Sequence, residues 1–153
     1  MIVTYKNKPF VYLAGPVEYG GDTWRERAGK FLLKLGFIPI DPLRNEKITK
    51  KGKHLESSIS DEAIVGRNKY DLHRCRISGG FAIMNLSTTK DGRRPIGTLF
   101  ELEWCAERDV PVVAILGKDC DPNIRTHPWI VSQVIYKATS VTDALNFIEN
   151  YMV

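Results

Sequence analysis

The chain has 153 residues, of which 43% are hydrophobic, 26% charged and 10% aromatic, as in an ordinary globular protein. This length predicts one domain, spanning 1–153, with enough residues for a sizeable core, and it excludes two full α/β domains. No segment approaches the roughly 18 apolar residues that a membrane-spanning helix needs, so we expect no membrane partner.

The first residues and the cysteines indicate the compartment. Residues 1–10 are polar and lack the apolar segment and cleavage site of a signal peptide, so we expect a cytoplasmic protein. Cys75, Cys105 and Cys120 are odd in number and widely spaced, which argues against a disulfide framework and against a zinc site of paired cysteines. The three histidines show no metal-ligand spacing, and we predict neither a metal nor a cofactor.

The formal net charge is +4, from 22 basic and 18 acidic residues, and much of the excess lies in the segment 44–54. Its lysines are Lys47, Lys50, Lys51 and Lys53. A basic run can attract nucleic acid, but it is more often a solvated loop, which is how we interpret it. The positive balance also suits a small phosphorylated substrate.

The first predicted elements are a strand, a loop and a helix. Residues 9–14 form a short apolar run ended by Gly15 and Pro16, which predicts a buried strand followed by a loop. Residues 23–26 have the form of a capping box, which predicts a helix start. Gly36 ends this helix, and the residues expected to face inward are Trp24, Ala28, Phe31, Leu32 and Leu35.

An edge strand and a second helix follow. Residues 37–41 predict a strand, and Pro39 places it at an edge because proline cannot donate to the ladder. Residues 42–56 form a long polar connection. Residues 57–76 predict a helix, and the residues that we expect to face inward are Ile59, Ala63, Tyr70 and Ile77.

The second half of the chain predicts three more strands and three more helices. The strands are 81–86, 110–116 and 134–136. The helices run from Gly97-Thr98 through Arg108, over 129–133, and from Ser140 to about Tyr151, with loops at 87–95 and 117–128.

Strands that alternate with helices predict a parallel sheet with helices on both faces, and continuous apolar strands agree with burial on both sides. Five such strands predict a flavodoxin-like or Rossmann-like α/β fold. In these sheets the ligand binds beyond the carboxyl ends of the strands, where the strand order reverses. The loops that we expect to carry function are therefore 15–22, 41–56, 85–97 and 117–127.

The loop after the first strand is rich in glycine and precedes a helix. Gly15, Gly20 and Gly21 let backbone amides approach a ligand, and a helix N-terminus favours anions. The loop matches neither the GxGxxG fingerprint nor the Walker A motif, so it supports neither dinucleotide nor ATP binding. A tight turn without function explains the loop equally well.

Glu101 stands near the predicted start of the third helix. Thr98 and Glu101 have capping-box spacing, so the carboxylate could simply close the helix start. In the functional interpretation the helix dipole keeps Glu101 ionised, and a partly desolvated carboxylate attacks an electron-poor carbon. Glu103 points elsewhere on the helix, and we interpret it as a surface group.

Asp71 lies in the second predicted helix, where a carboxylate is usually solvated or paired with a basic residue one turn away. Two carboxylates around one sugar are the usual equipment for cleaving a bond at an anomeric carbon. Tyr12, Trp24 and Trp129 could stack on a planar ring, although such aromatic residues are usually core residues. Two arginines of the loop after the third strand, Arg93-Arg94, either hold an anion or are solvated.

The sequence resembles the nucleoside 2-deoxyribosyltransferase family. The resemblance is carried by Tyr12-Leu13-Ala14-Gly15-Pro16, then Asp71, then Gly97-Thr98-Leu99-Phe100-Glu101-Leu102, in that order. It covers about residues 10–136. It implies a flavodoxin-like fold and a homo-oligomer with sites near the subunit interfaces.

The resemblance also implies roles for individual residues. Glu101 matches the nucleophile that forms a covalent deoxyribosyl intermediate at C1′, and Asp71 matches an aspartate that binds substrate and handles the proton on the base. Gly15 and Pro16 match the loop beneath the substrate. Two further positions match: Asn85, at a strand end that lines the site, and either Asn123 or, preferably, His127, where some relatives send a residue into the neighbouring subunit's site.

We therefore predict an enzyme that cleaves the N-glycosidic bond of a (deoxy)nucleoside and transfers the sugar to another base. A related branch hydrolyses 2-deoxynucleoside 5-phosphates, and Gly20, Gly21 and Arg25 would suit a phosphate. The second alternative is a non-catalytic nucleotide- or nucleic-acid-binding protein that uses the lysine loop. The expected partners are a small nucleoside or nucleotide and a free base.

Overall fold

The computed structural model describes residues 8–16, 23–44, 60–89 and 92–153. The strands are β1 (Phe10–Ala14), β2 (Ile38–Ile40), β3 (Phe81–Asn85), β4 (Val112–Ile115) and β5 (Tyr136–Ala138). The helices are α1 (Thr23–Lys34), α2 (Asp61–Ile77), α3 (Ile96–Glu107), α4 (Pro122–Arg125), α5 (Pro128–Val131) and α6 (Val141–Tyr151).

The strands form one parallel sheet in the order β2-β1-β3-β4-β5. After β1 the chain first moves outward to β2 and then returns to the other side of β1, so the strand order reverses between β1 and β3. The register pairs Ala14 with Met84, which brings the following residues, Gly15 and Asn85, side by side at the carboxyl edge. This is the place where such sheets bind their ligands.

Helices cover both faces of the sheet, as predicted. On one face, Val11, Leu13 and Ile83 pack in a cluster with residues of α1 and α6, such as Leu32 and Ile148. On the other face, residues of α2 and α3 pack against Tyr12, Ala14 and Met84, and these helix residues are Leu72, Cys75, Leu102 and Cys105. The predicted five-stranded flavodoxin-like α/β architecture is therefore confirmed.

Several element predictions are confirmed. Helix α1 begins at Thr23 and is followed by Gly36 at φ +91°, a backbone conformation that favours glycine. The inward face of α1 is as predicted, whereas the side-chain contacts of the capping box lie outside the described residues. Strand β2 is an edge strand that contains Pro39. Helix α6 starts after Ser140, whose hydroxyl accepts a hydrogen bond from Asp143 N at 3.0 Å.

The prediction for α2 is wrong in its start and in its buried face. The helix begins at Asp61, after Ser60, whose Oγ accepts a hydrogen bond from Ala63 N at 3.2 Å. Ala63, Tyr70 and Ile77 are exposed, and Ile59 lies outside the described residues. The buried residues are Ile64, Asp71, Leu72 and Cys75. An apolar pattern could not reveal this face because a charged residue, Asp71, lies at its centre.

Other predicted boundaries also differ from the structure. Helix α3 begins at Ile96 after Pro95, which makes no side-chain cap, so Thr98 and Glu101 do not form a capping box at its start. Helix α4 lies within the predicted loop 117–128. Strand β5 begins at Tyr136, two residues after the predicted start at 134. In the described residues no helix is both long and apolar enough to cross a membrane.

Candidate active site

A cavity of about 250 Å³ lies beyond the carboxyl end of β1, between the turn after β2, α2 and the start of α3. Its lining comes from five parts of the chain: Tyr12, Gly15, Pro16 and Arg25; Pro42 and Leu43; Ile64 and Asn68; Thr89 and Arg93 to Pro95; and Ile96, Gly97, Thr98 and Glu101. Residues from three of the four loops expected from the sequence, 15–22, 41–56 and 85–97, therefore meet at one site, whereas residues of 117–127 line a different groove.

Glu101 reaches this cavity from the second turn of α3. In the same helix, Leu102 and Cys105 are buried in the core and hold α3 against the sheet. Burial raises the pKa of Glu101 from 4.5 to about 7, against the lowering effects of the Tyr12 hydroxyl and the Arg25 charge. The helix dipole was expected to keep Glu101 ionised, but the residue lies beyond the first turn and burial dominates.

Tyr12 faces the Glu101 carboxylate from β1 and is fully buried. Burial raises the pKa of Tyr12, and the negative charges of Glu101 and Asp71 raise it further, so the hydroxyl keeps its proton. The hydroxyl lowers the pKa of Glu101, yet neither Tyr12 Oη nor Glu101 Oε2 has a hydrogen-bond partner of normal geometry within the described chain. Both atoms can therefore serve a bound molecule.

Several buried polar side-chain atoms at this cavity have no hydrogen-bond partner among the described residues. Two of these atoms are Tyr12 Oη and Glu101 Oε2, and a third is Asn68 Oδ1. The Nε1 of Trp24, whose ring packs next to Gly15, also has no hydrogen-bond partner among the described residues. Buried polar groups in folded proteins nearly always have a partner, so unpartnered ones call for an explanation. A bound polar ligand would supply the missing hydrogen bonds.

Arg25 shapes the loop after β1 and is only 2% exposed. Its Nε donates to Leu13 O at 3.0 Å and its Nη2 donates to Gly15 O at 2.9 Å. A longer hydrogen bond reaches Pro16 O at 3.4 Å. The guanidinium therefore holds the backbone beneath the cavity, and its charge lowers the pKa of Glu101.

A second cavity, of about 340 Å³, adjoins the first and is more apolar. The two cavities share Asn68, Gly97 and Glu101 in their linings. The other residues of the second cavity are Val65, Lys69, Leu72, Phe100 and Trp104. Glu101 is thus accessible from a polar, arginine-bearing cavity and from an apolar cavity with two aromatic side chains.

Asp71, the second predicted catalytic residue, is 0% exposed and lines neither of these cavities. Arg44 Nη2 donates to Asp71 Oδ1 at 2.9 Å, and Arg44 Nη1 lies 2.8 Å from Oδ2. The expected pairing with a basic residue one turn away also occurs, with Arg74 Nη1 at 3.8 Å from Oδ1. Asp71 lies close enough to Tyr12 for its charge to raise the tyrosine pKa.

The predicted loop residues lie where the strand order reverses. A β-carbon added at Gly15 would be 3.0 Å from Trp24 Cζ2 and 3.1 Å from Asn85 Cβ, so glycine permits this close packing. Asn85 Oδ1 accepts a hydrogen bond from Ser87 N at 3.1 Å. Pro16 lines the cavity. Gly20 and Gly21 lie outside the described residues.

His127 and Asn123 lie at a different place, in a groove of about 500 Å³ along α3, α4 and α5. His127 precedes α5, and its Nδ1 accepts a hydrogen bond from Trp129 N at 3.3 Å. Trp129 is 72% exposed beside it. Within one chain, the structure therefore does not bring His127 together with Glu101.

Sequence reasoning missed Asn68 as a lining residue and Arg44 as the partner of Asp71. Asn68 lies in a polar stretch without a motif, and 27 positions separate Arg44 from Asp71. Arg93 and Arg94 do line the cavity, and Arg94 Nε also lies 3.2 Å from Asp121 Oδ2. Within the described ranges no three His, Cys, Asp or Glu residues come together as metal ligands would.

Comparison with solved structures identifies the fold. A conserved protein from Enterococcus faecalis V583 matches with a TM-score of 0.66 at 14% identity, over 94% of this chain and 98% of the other. The 2-deoxyribosyltransferase of Bacillus psychrosaccharolyticus matches with a TM-score of 0.60 at 18% identity, over 90% of each chain. The 2-desoxiribosyltransferase of Leishmania mexicana matches with a TM-score of 0.52 at 19% identity, over 70% of this chain and 63% of the other.

No protein-family model matches the chain, and neither does a curated protein sequence. The identities to the solved structures are low, so the likeness lies in the backbone. The chain therefore has the fold of the 2-deoxyribosyltransferases.

Proposed function

We propose that this chain is a nucleoside 2-deoxyribosyltransferase with Glu101 as its nucleophile, and that 1–153 forms one such domain in the cytoplasm. The main observation behind this proposal is the position of Glu101 at the junction of two cavities, where the strand order reverses. Its carboxylate is buried, and Oε2 has no hydrogen-bond partner among the described residues. The fold shared with two 2-deoxyribosyltransferases supports this assignment.

The proposed reaction has two displacements at C1′ of the sugar. The ionised Glu101 carboxylate bonds to C1′ while the N-glycosidic bond breaks. The electron pair of that bond leaves with the base nitrogen, which takes up a proton from water. A second base then attacks C1′, loses its proton and releases Glu101. Preorganisation by Tyr12 and Arg25 favours the ionised form, because both lower the pKa of the carboxyl group.

The two cavities suit the two halves of a nucleoside. The apolar cavity has Phe100 and Trp104 in its lining, and aromatic side chains pack well on a planar base. The polar cavity offers Asn68 and Arg93 to sugar hydroxyls. Glu101 lines both cavities. This position suits a nucleophile that attacks the carbon at which the sugar is joined to the base.

A 2-deoxynucleoside 5-phosphate N-hydrolase is the second candidate. The observation that favours it is the basic lining of the polar cavity, to which Arg25, Arg93 and Arg94 contribute. In that reaction water, instead of a second base, releases the sugar from Glu101. Free sugar phosphate formed without an acceptor base would identify this activity.

We also propose that the chain forms a homo-oligomer. Ile96 and Trp129 are large apolar side chains of α3 and α5, and each is more than half exposed. The groove that contains His127 and Trp129 lies on this side. Contact between copies through this groove would remove the exposed apolar surface from water.

The test is release of free base from 2-deoxynucleosides and their 5-phosphates, with and without an acceptor base. We expect Glu101→Gln to lose base release by about a thousandfold or more, since the amide cannot act as the nucleophile. The matched control is Glu103→Gln, an exposed carboxylate of the same helix, which should keep the wild-type rate.

Mass spectrometry after brief exposure to a 2-fluoro-2-deoxynucleoside adds direct evidence on the intermediate. We expect a sugar adduct on the peptide that contains Glu101 in the wild-type protein and none in Glu101→Gln. Wild-type turnover by Glu101→Gln, or an adduct on another residue, would overturn the assignment.

A further inference from the structure

The buried carboxylate of Asp71 has both of its oxygens turned toward arginine. Arg44 contacts both of them, at 2.9 Å from Oδ1 and 2.8 Å from Oδ2, whereas Arg74 approaches Oδ1 alone at 3.8 Å. The contact with Oδ1 is a hydrogen bond and the one with Oδ2 is an ion pair, so the guanidinium is held to the carboxylate at two points. Asp71 is fully buried and lines neither of the two cavities next to Glu101. A substrate bound in these cavities would therefore not contact the Asp71 carboxylate.

The same guanidinium also closes the turn from which Arg44 projects. Arg44 Nη1 donates to Asp41 O at 2.9 Å, and the backbone N of Arg44 donates to the same oxygen at 3.2 Å. Within the turn, Leu43 N donates to Asp41 Oδ1 at 2.8 Å. The head of Arg44 therefore joins the turn after β2 to the buried face of α2.

Two residues of this turn, Pro42 and Leu43, line the cavity that contains Glu101. Ile64 and Asn68 of α2 line the same cavity. An arginine of α2 makes a further contact with the turn, because Arg67 Nη2 donates a hydrogen bond to Pro42 O. The part of the cavity wall from the turn is thus held against the part from α2 by the Arg44–Asp71 contacts and by the Arg67–Pro42 hydrogen bond.

We propose that Arg44 is a positioning residue of the site, and that Asp71 acts through it by holding the wall formed by Pro42 and Leu43 against α2. Burying a carboxylate without a close partner is costly, and this cost holds the guanidinium in place. Among the described residues, withdrawing Arg44 would leave Asp71 with Arg74 alone, at 3.8 Å. The contribution of Asp71 to turnover is then the shape of the substrate-binding cavity instead of a proton transfer.

Arg74 provides a matched control for Arg44. The two side chains contact the same carboxylate and are equally exposed, at 35% and 36%. Arg74 packs over the Phe10 ring, 4.3 Å from its centroid, and lines neither of the two cavities. Arg44→Met and Arg74→Met therefore both remove a positive charge next to Asp71. Only Arg44→Met also removes the contact that joins the turn after β2 to α2.

The kinetic test rests on the proposed function and uses base release from the preferred nucleoside. We expect Arg44→Met to raise KM roughly tenfold or more with kcat within about threefold of wild type, and Arg74→Met to leave both constants within about twofold. Asp71→Asn should resemble Arg44→Met, keep the wild-type pH profile, and add little to Arg44→Met in the double variant.

Two results would overturn the proposal. One is a wild-type KM in Arg44→Met. The other is a kcat loss of about a hundredfold in Asp71→Asn with a lost limb of the pH profile, which is the behaviour of a proton-transfer group. If Arg44→Met does not fold, Arg44→Lys decides the matter, because lysine keeps the charge and loses the paired contact. A raised KM in Arg44→Lys supports the proposal, and an unchanged KM overturns it.

Hydrogen exchange tests the same proposal without any activity. We expect the amides of Leu43 and Arg44 to exchange roughly tenfold faster in Arg44→Met than in Arg74→Met, with exchange in the middle of α2 unchanged. Equal exchange of the turn in both variants would overturn the positioning role. If the wild-type protein releases no base, the proposed function fails, and the exchange result still decides the role of Arg44.

Discussion

At the scale of single residues, the protonation of Glu101 is decided by competing effects of known direction. Burial raises the pKa of its carboxyl group, and the Tyr12 hydroxyl and Arg25 lower it, with a balance at about 7. Near neutral pH both forms of the carboxyl group are therefore present. Only the ionised form can attack a carbon, so the site holds a nucleophile whose charge is costly to bury.

This cost predicts that Glu101→Gln stabilises the protein at alkaline pH. Between pH 4.5 and 7 the folded state binds a proton that the unfolded state has lost, so the free energy of unfolding falls as pH rises through this window. The loss amounts to about 3 kcal/mol for a pKa raised from 4.5 to about 7. Glutamine does not titrate, so the variant should avoid the loss.

Urea unfolding at pH 4.5 and pH 8 measures this difference. We expect Glu101→Gln to be more stable than wild type at pH 8 and similar to it at pH 4.5. Exposed Glu103→Gln is the control and should match the wild-type protein at both values. Equal stability of Glu101→Gln and wild type at pH 8 would contradict the burial argument.

At the scale of elements, close backbone contacts fix how the strands reach the site. Gly80 lies just before β3, and a β-carbon there would be 1.8 Å from Phe10 O, the first residue of β1. Its N also donates to Cys75 O at 2.8 Å, at the end of α2. This position therefore sets the spacing of α2, β1 and β3, the elements that supply Asn68, Tyr12 and Asn85.

We predict that Gly80→Ala destabilises the protein by about 3 kcal/mol or more, because the backbone of β1 has to move. Gly66 in the interior of α2 is the matched control, since a β-carbon there meets nothing within 4 Å. Gly66→Ala should stabilise the protein by about 1 kcal/mol through helix propensity. Denaturant unfolding of both variants tests the pair, and a Gly80→Ala protein as stable as wild type would refute the contact.

At the scale of the whole molecule, large apolar side chains are exposed on α3 and α5. Ile96 is 62% exposed and Trp129 is 72% exposed. Scattered apolar residues on a surface are ordinary, but Trp129 borders a groove whose lining includes Leu99, Ile124 and Ile130. A groove of this composition is suited to contact with a second copy of the chain.

Sedimentation velocity tests this proposed contact. We expect the wild-type protein to sediment as a dimer or larger assembly, and Trp129→Asp to shift it to the monomer because a charge would be buried at the contact. Leu33→Asp, on the exposed side of α1, is the control and should leave the assembly unchanged. A monomeric wild-type protein at tens of micromolar would exclude the contact.

The sequence by itself determined the architecture and indicated where the candidate site lies. Apolar strands that alternate with helices predict a parallel sheet, because each helix can connect two parallel strands and cover a face of the sheet. The strand-end rule then directs attention to the loops where Gly15, Pro16 and Gly97 now line one cavity with Tyr12 and Glu101. These inferences succeed because they depend on local pattern and on chain order.

The tertiary structure alone decided which charged groups are buried and what they contact. The pairing of Arg44 with Asp71, the hold of Arg25 on the backbone after β1 and the raised pKa of Glu101 follow from packing between distant segments. A local pattern assigns a charged or polar residue to the surface. The pattern therefore predicted the wrong buried face for α2 and did not indicate that Asn68 lines the cavity. Desolvation depends on every neighbour in space, and that information exists only once the chain has folded.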